Sequence, residues 1–152
     1  MFKFLVEEID NREKSAERIA YLEQKYGIVF PDILKELYSR TNGGILKENE
    51  VPVNEDPDDF AEVWCMHNLG ESDYNFEFVA DNDRTEPMNK FIPDDWYPFA
   101  YDRGGATFYW SNKDHKVWFV IKDDPDSLEE PDLVANSIEE FIELLNNSII
   151  EE

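Results

Sequence analysis

A chain of 152 residues, 41% hydrophobic and 14% aromatic, can bury one full-sized core. Thirty-six acids against 14 lysines and arginines give a formal net charge of −22, a surface that repels phosphate backbones and argues against direct nucleic-acid binding. No apolar run approaches the roughly 18–20 residues of a membrane span. The opening MFKFLVEEID has neither the apolar stretch nor the small-residue cleavage site of a secretion signal. Cys65, the single cysteine, leaves no internal disulfide and no cysteine-based zinc site. The expectation is one domain spanning 1–152, in a reducing cytoplasm, with no cofactor and no membrane partner.

The charge is unevenly placed. Residues 1–40 carry 8 acids and 7 bases, whereas the remaining chain carries 28 acids and 7 bases. Such a surface steers a basic protein partner inward and speeds encounter.

In chain order, SAERIAYLEQKYG predicts a helix: Ala16, Ile19, Ala20, Leu22 and Tyr26 follow helical spacing, and Gly27 ends it in a left-handed conformation. FPDILKELYSRTNGG predicts a second, with Pro31 in its first turn, Asp32 at its positive end and an inward stripe of Ile33, Leu34, Leu37 and Tyr38. The link Ile28–Phe30 is expected beneath both helices. Residues 45–60, acidic and broken by Pro52 and Pro57, read as a short strand or turn and then an exposed loop. Glu62–Gly70 reads as a strand. ESDYNFEFVADNDRTEPMNKF (71–91) reads as an irregular helix capped by Ser72, although Phe76 and Phe78 alternate as a strand would.

From Tyr97 to Ile121 the pattern is a meander. YPFAY and ATFYWS flank Asp102-Arg103-Gly104-Gly105, and KVWFVI follows a polar link. DDPDSLEEPD reads as an acidic, proline-punctuated loop. SIEEFIELLNNSII is a closing helix with a Ser137/Glu140 capping box and one face of Ile138, Phe141, Ile142 and Leu145. Two N-terminal helices, one C-terminal helix and strands between them predict an α+β domain with a central, largely antiparallel sheet.

The chemistry-bearing motifs are few. Cys65 and His67 share a strand face, which starts a two-ligand set but more commonly is a buried thiol beside a rim imidazole. His115 falls in a turn. The acidic segments lack the D-x-[DN]-x-[DN]-G spacing of a calcium loop. The glycines of D-R-G-G lead into a strand, not a helix N-terminus, so they read as a hairpin turn with positive φ and not as a phosphate cradle.

The order of these elements resembles the SUKH superfamily, best known as immunity proteins of bacterial polymorphic toxin systems. The resemblance is carried by FPDILKELYSRTNGG, PDDWYPFAYDRGGA, KVWFVI and LVANSIEEFIELL. It implies a mixed fold with no catalytic residues, and a protein that binds a cognate toxin, often a nuclease domain. The superfamily also includes fungal cell-wall regulators, so an intracellular scaffold or regulatory module is the alternative. Pro31, Asn42, Gly43, Gly44, Asp102, Gly104 and Gly105 all have folding explanations.

The expected contacts combine acid and aromatic groups: Asp56, Asp58, Asp59 and Phe60 in the first acidic loop, and Asp94, Asp95 and Trp96 before the meander. Asp102 and Arg103 sit at the hairpin tip. The competing reading places Phe60 and Trp96 in the core and leaves the acids as solvated surface.

Overall fold

The computed structural model describes residues 2–70, 72–85 and 91–150. Its elements are α1 (Arg12–Tyr26), α2 (Asp32–Tyr38), β1 (Gly44–Ile45), β2 (Val51–Val53), β3 (Asp56–Ala61), β4 (Cys65–Met66), α3 (Phe76–Thr85), β5 (Trp96–Tyr101), β6 (Thr107–Ser111), β7 (Val117–Val120), α4 (Pro125–Glu129), β8 (Asp132–Ala135) and α5 (Ile138–Asn147). Six strands form one sheet in the order β1-β4-β5-β6-β7-β8, with each neighbouring pair antiparallel, and β2 pairs with β3 as a separate hairpin. The expected α+β architecture and the 97–121 meander are present.

Period-two alternation sorts the meander side chains onto two faces. Phe99, Phe108, Trp110, Val117 and Phe119 face the main core, where α1, α2 and α5 bring Ile19, Leu22, Leu34, Leu37, Phe141 and Leu145. Trp110 is its centre, with ring centroids 5.0 Å from Phe30, 5.6 Å from Phe76 and 5.6 Å from Tyr97. Trp96, Tyr109 and Val120 face the other way and gather Ile92, Leu128 and Trp118 into a smaller cluster.

The helix hairpin forms as the spacing predicts. Ile19 and Leu22 turn inward, but Ala16 and Ala20 face solvent. Gly27 closes α1 at φ 66°, and Ile28 and Phe30 are buried while Val29 between them is exposed. α2 ends at Tyr38, whose hydroxyl donates to the His67 carbonyl (2.9 Å).

Gly43 explains the Asn-Gly-Gly punctuation. Its φ is +91°, and a Cβ there would lie 2.8 Å from the Asn68 nitrogen and 2.9 Å from the Met66 oxygen, both backbone atoms that cannot yield cheaply. Gly43→Ala is therefore expected to lower stability by about 2 kcal/mol, read as a shifted urea midpoint at unchanged slope.

Four expectations are corrected. The acidic stretch after Pro52 is a β-hairpin, turned by Asn54 and Glu55 at φ 54° and 57°. Asn54 ties it to β8: its N–H donates to the Leu133 carbonyl (2.6 Å), and its Oδ1 accepts from the Leu133 N–H (2.9 Å). The Glu62–Gly70 strand is reduced to Cys65–Met66, flanked by bonds from the Trp64 N–H to the Tyr101 carbonyl (3.1 Å) and from the His67 N–H to the Phe99 carbonyl (2.9 Å). Asn75, not Ser72, caps α3 through its Oδ1 and the Phe78 N–H (2.9 Å); residues 86–90 of that segment lie outside the described residues. The final acidic loop contains α4 and β8, with Asp124 capping α4 through the Asp126 N–H.

The shortness of β4 has an architectural effect. Beyond the His67 N–H, which donates to the Phe99 carbonyl (2.9 Å), the edge of β5 would stand open, and α3 lies along it. Phe76 stacks on Tyr97 on the main-core side, at 8° between ring planes. Asp83, two turns on, bonds to Tyr109 on the opposite side. Arg84 then reaches the Asp94 carbonyl (2.6 Å) at the start of β5.

Candidate functional site: an acidic end of the sheet

The antiparallel register gathers acids that are distant in sequence. Tyr101 pairs with Thr107, Thr107 with Val120, and Phe119 with Asp132. The end of β5 and the starts or ends of β6, β7 and β8 thus line one rim, about 14 Å wide at ordinary strand spacing. Asp102 projects from it, as does the segment with Asp123, Asp124, Asp126, Glu129, Glu130 and Asp132. The β2–β3 turn joins the same rim, since the Asn54 amide donates to the Asp132 carboxylate (2.6 Å). It adds Glu55, Asp56, Asp58 and Asp59.

The bases cannot neutralise this rim. On the opposite flank, Lys25 is held by Glu77 (2.8 Å) and Asp81 (2.9 Å), which raise its pKa, while Arg18 reaches Glu77 at 3.5 Å. At the rim itself, Lys122 is turned inward to the buried Asp83 (2.7 Å) and Arg103 is engaged by Glu62 (2.9 Å). The two bases described at the rim are thus each held by a carboxylate, and the rim keeps its negative field.

The family model described as the SMI1 / KNR4 family (SUKH-1) matches residues 14–144, from the first turn of α1 to the last of α5. The chain belongs to this family. Among curated proteins none matches it. Membership in the SUKH-1 family supports an immunity-protein or regulator-type role exercised through protein contact. No helix among the described residues is long and apolar enough to cross a membrane.

Within this SUKH-1 fold the expected contact residues separate. Asp56, Asp58, Asp59 and Phe60 lie on β3 and are exposed, with Phe60 at 49%. Asp102 and Arg103 lie at the same end of the sheet. Asp94 and Asp95 precede β5 and so occupy the opposite end, where the Asp95 carbonyl accepts from the Asn112 N–H (2.8 Å). Trp96 is buried and stacked on Trp118, with centroids 5.2 Å apart and planes 13° apart. It stabilises the second face and presents little surface.

The D-R-G-G turn is built by its carboxylate. Asp102 Oδ1 accepts from the N–H groups of Gly104 (2.9 Å) and Ala106 (2.8 Å). Gly105, at φ 88°, supplies the left-handed step, whereas Gly104 is not at positive φ. The turn is structural, and its charge still faces the rim.

Sequence reasoning missed the contribution of residues 123–132. The signal was present as six acids in a ten-residue window, but only the strand register shows that they adjoin Asp56 and Asp102. His67 was also misplaced: it is 1% exposed, packed between the Tyr101 (4.6 Å) and Tyr74 (5.2 Å) rings, with neither ring nitrogen hydrogen-bonded. Burial, with the nearby Lys122 charge, pushes its pKa down to about 3. Burial likewise pushes the Cys65 thiol up.

Among the described residues no three His, Cys, Asp or Glu side chains converge as metal ligands. An open depression of about 710 Å³ by Ile9, Asn11, Arg12 and Asn42 holds an exposed Arg12–Asp10 pair (3.1 Å), without a nucleophile, base and anion-stabilising donor in mutual reach.

Proposed function

We infer that this protein is an immunity protein that neutralises a cognate toxin domain by stoichiometric binding and not by catalysis. The observation that carries this reading is the unneutralised acidic rim in a SUKH-1 chain. A nuclease must hold phosphates, so its cleft is cationic, and an acidic rim can occupy that cleft or its border. Long-range attraction sets the rate of encounter, while exposed apolar groups such as Phe60 supply desolvated contact. The same reading places the protein in the cytoplasm of the producing cell, as one domain acting on a basic protein.

Mixing the purified protein with the toxin encoded beside it should give a complex at low salt. Asp56→Lys/Asp58→Lys/Asp59→Lys should slow association about tenfold, with most of that difference vanishing at high salt. Absence of a complex would favour a regulatory binding module on the same fold. Unchanged association in the triple variant would remove β3 from the interface.

A further inference from the structure

The second face of the sheet is only partly covered. Trp96, Tyr109, Trp118 and Val120 are roofed by Ile92 and Leu128. Toward β4 no such roof exists among the described residues. There Tyr74 and Phe78 are 45% and 47% exposed and touch each other at 6.0 Å. Tyr74 meets Tyr101 edge-on at 5.5 Å, and Tyr101 meets Trp64 at 5.8 Å. The four rings make one continuous aromatic strip, from the exposed side of α3 to the acidic rim.

The far end of the strip already holds a cation. The Arg103 guanidinium lies 5.7 Å from the Trp64 ring centre while its Nε donates to Glu62 (2.9 Å). Aromatic face and carboxylate together clasp a flat cation, the arrangement in which arginine outperforms lysine. At the near end, Tyr74 and Phe78 have no described cation over their rings, and Asp73 is exposed beside them. An exposed aromatic pair beside a carboxylate is complementary to a flat cation such as arginine.

We propose that an arginine-bearing segment of a basic protein partner docks on the strip formed by Tyr74, Phe78 and Tyr101. This deepens the toxin-binding reading and rests on it: the rim attracts the partner, and the strip supplies the desolvated anchor that Trp96, being buried, does not. Rim charge alone attracts lysine and arginine alike. The strip is what distinguishes them.

The test uses octa-arginine and octa-lysine peptides titrated into the full chain at physiological salt and followed by calorimetry. The wild type should bind octa-arginine roughly five- to tenfold more tightly than octa-lysine. Tyr74→Leu/Phe78→Ala should reduce that preference below about twofold and leave octa-lysine affinity unchanged. Phe78→Ala alone, on the exposed side of α3, keeps the fold and should lower the preference by itself. Equal affinities in the wild type, no binding of either peptide, or a preference that survives both variants would overturn the proposal. Because no toxin is present, the strip can be refuted while toxin binding stands, and a failed toxin complex leaves the peptide result legible.

Discussion

Lys122→Met should cost about 3–5 kcal/mol of folding stability, among the largest effects of any surface-reaching residue. The Asp83 side chain is 1% exposed; its Oδ1 receives the Lys122 ammonium at 2.7 Å and its Oδ2 the Tyr109 hydroxyl at 2.8 Å. Methionine preserves the stem that passes over Tyr109 but removes the ammonium that Asp83 holds at 2.7 Å. Taking a charged hydrogen bond from a buried carboxylate costs more than the pair contributes to folding. Lys122→Met/Asp83→Asn, which keeps the hydroxyl's acceptor and removes the charge, should therefore recover more than half of the loss. Urea unfolding at neutral pH measures both. A single variant within 1 kcal/mol of wild type would show that the Asp83 carboxylate does not depend on Lys122, and would sink the argument.

Acidification provides the second large effect, through His67. Its folded pKa, about 3, lies below the ordinary imidazole value near 6.5. The unfolded chain thus binds the proton first. The stabilisation is fully present above pH 6.5 and is lost as pH falls toward 3, by about 1.4 kcal/mol per unit. At pH 4 the neutral-buried imidazole should have cost the fold about 3 kcal/mol relative to pH 7. The many carboxylates also titrate in this range, so the informative quantity is the difference between wild type and His67→Phe, whose ring can fill the space between Tyr74 and Tyr101. Wild type should lose about 3 kcal/mol relative to His67→Phe as pH falls from 7 to 4. Curves that stay parallel would show that His67 gains a partner or water when protonated.

Much of the fold was legible because local rules and packing agree. Gly27 at left-handed φ, Ser137 accepting from the Glu140 N–H (3.0 Å) and the alternating aromatics of β5–β7 each state their role within a few residues. Even there the reciprocal bond of the capping box shifts by one, since Glu140 accepts from the Asn136 N–H instead of that of Ser137.

The misses share one cause: acidic, proline-broken segments take their structure from distant partners. Nothing near Asn54 announces that it will pair with Asp132 and Leu133, 78 and 79 positions away. Nothing in WCMH tells that pairing with β5 ends at His67, where α3 takes the neighbouring space. Of the two readings open for Trp96 the structure gives the core one, and its stacking partner Trp118 lies on another strand. The candidate site was legible in kind, acid with aromatic, but not in place. Of the expected residues, the structure groups Asp56, Asp58, Asp59, Phe60, Asp102 and Arg103 at one end and leaves Asp94 and Asp95 at the other.

The sheet's borders carry a last consequence. β1 is two residues long, with Lys47 just beyond it donating to the Phe4 carbonyl; α3 seals β5; and the β2–β3 hairpin sits against β8. Among the described residues no long run of free backbone is offered for strand addition. A partner must therefore recognise side chains and not a ladder of peptide groups. Specificity built that way is separable from folding: exchanging a handful of exposed residues can redirect the protein to a new partner while every strand keeps its register. An interface of this kind can be rewritten without rebuilding its support.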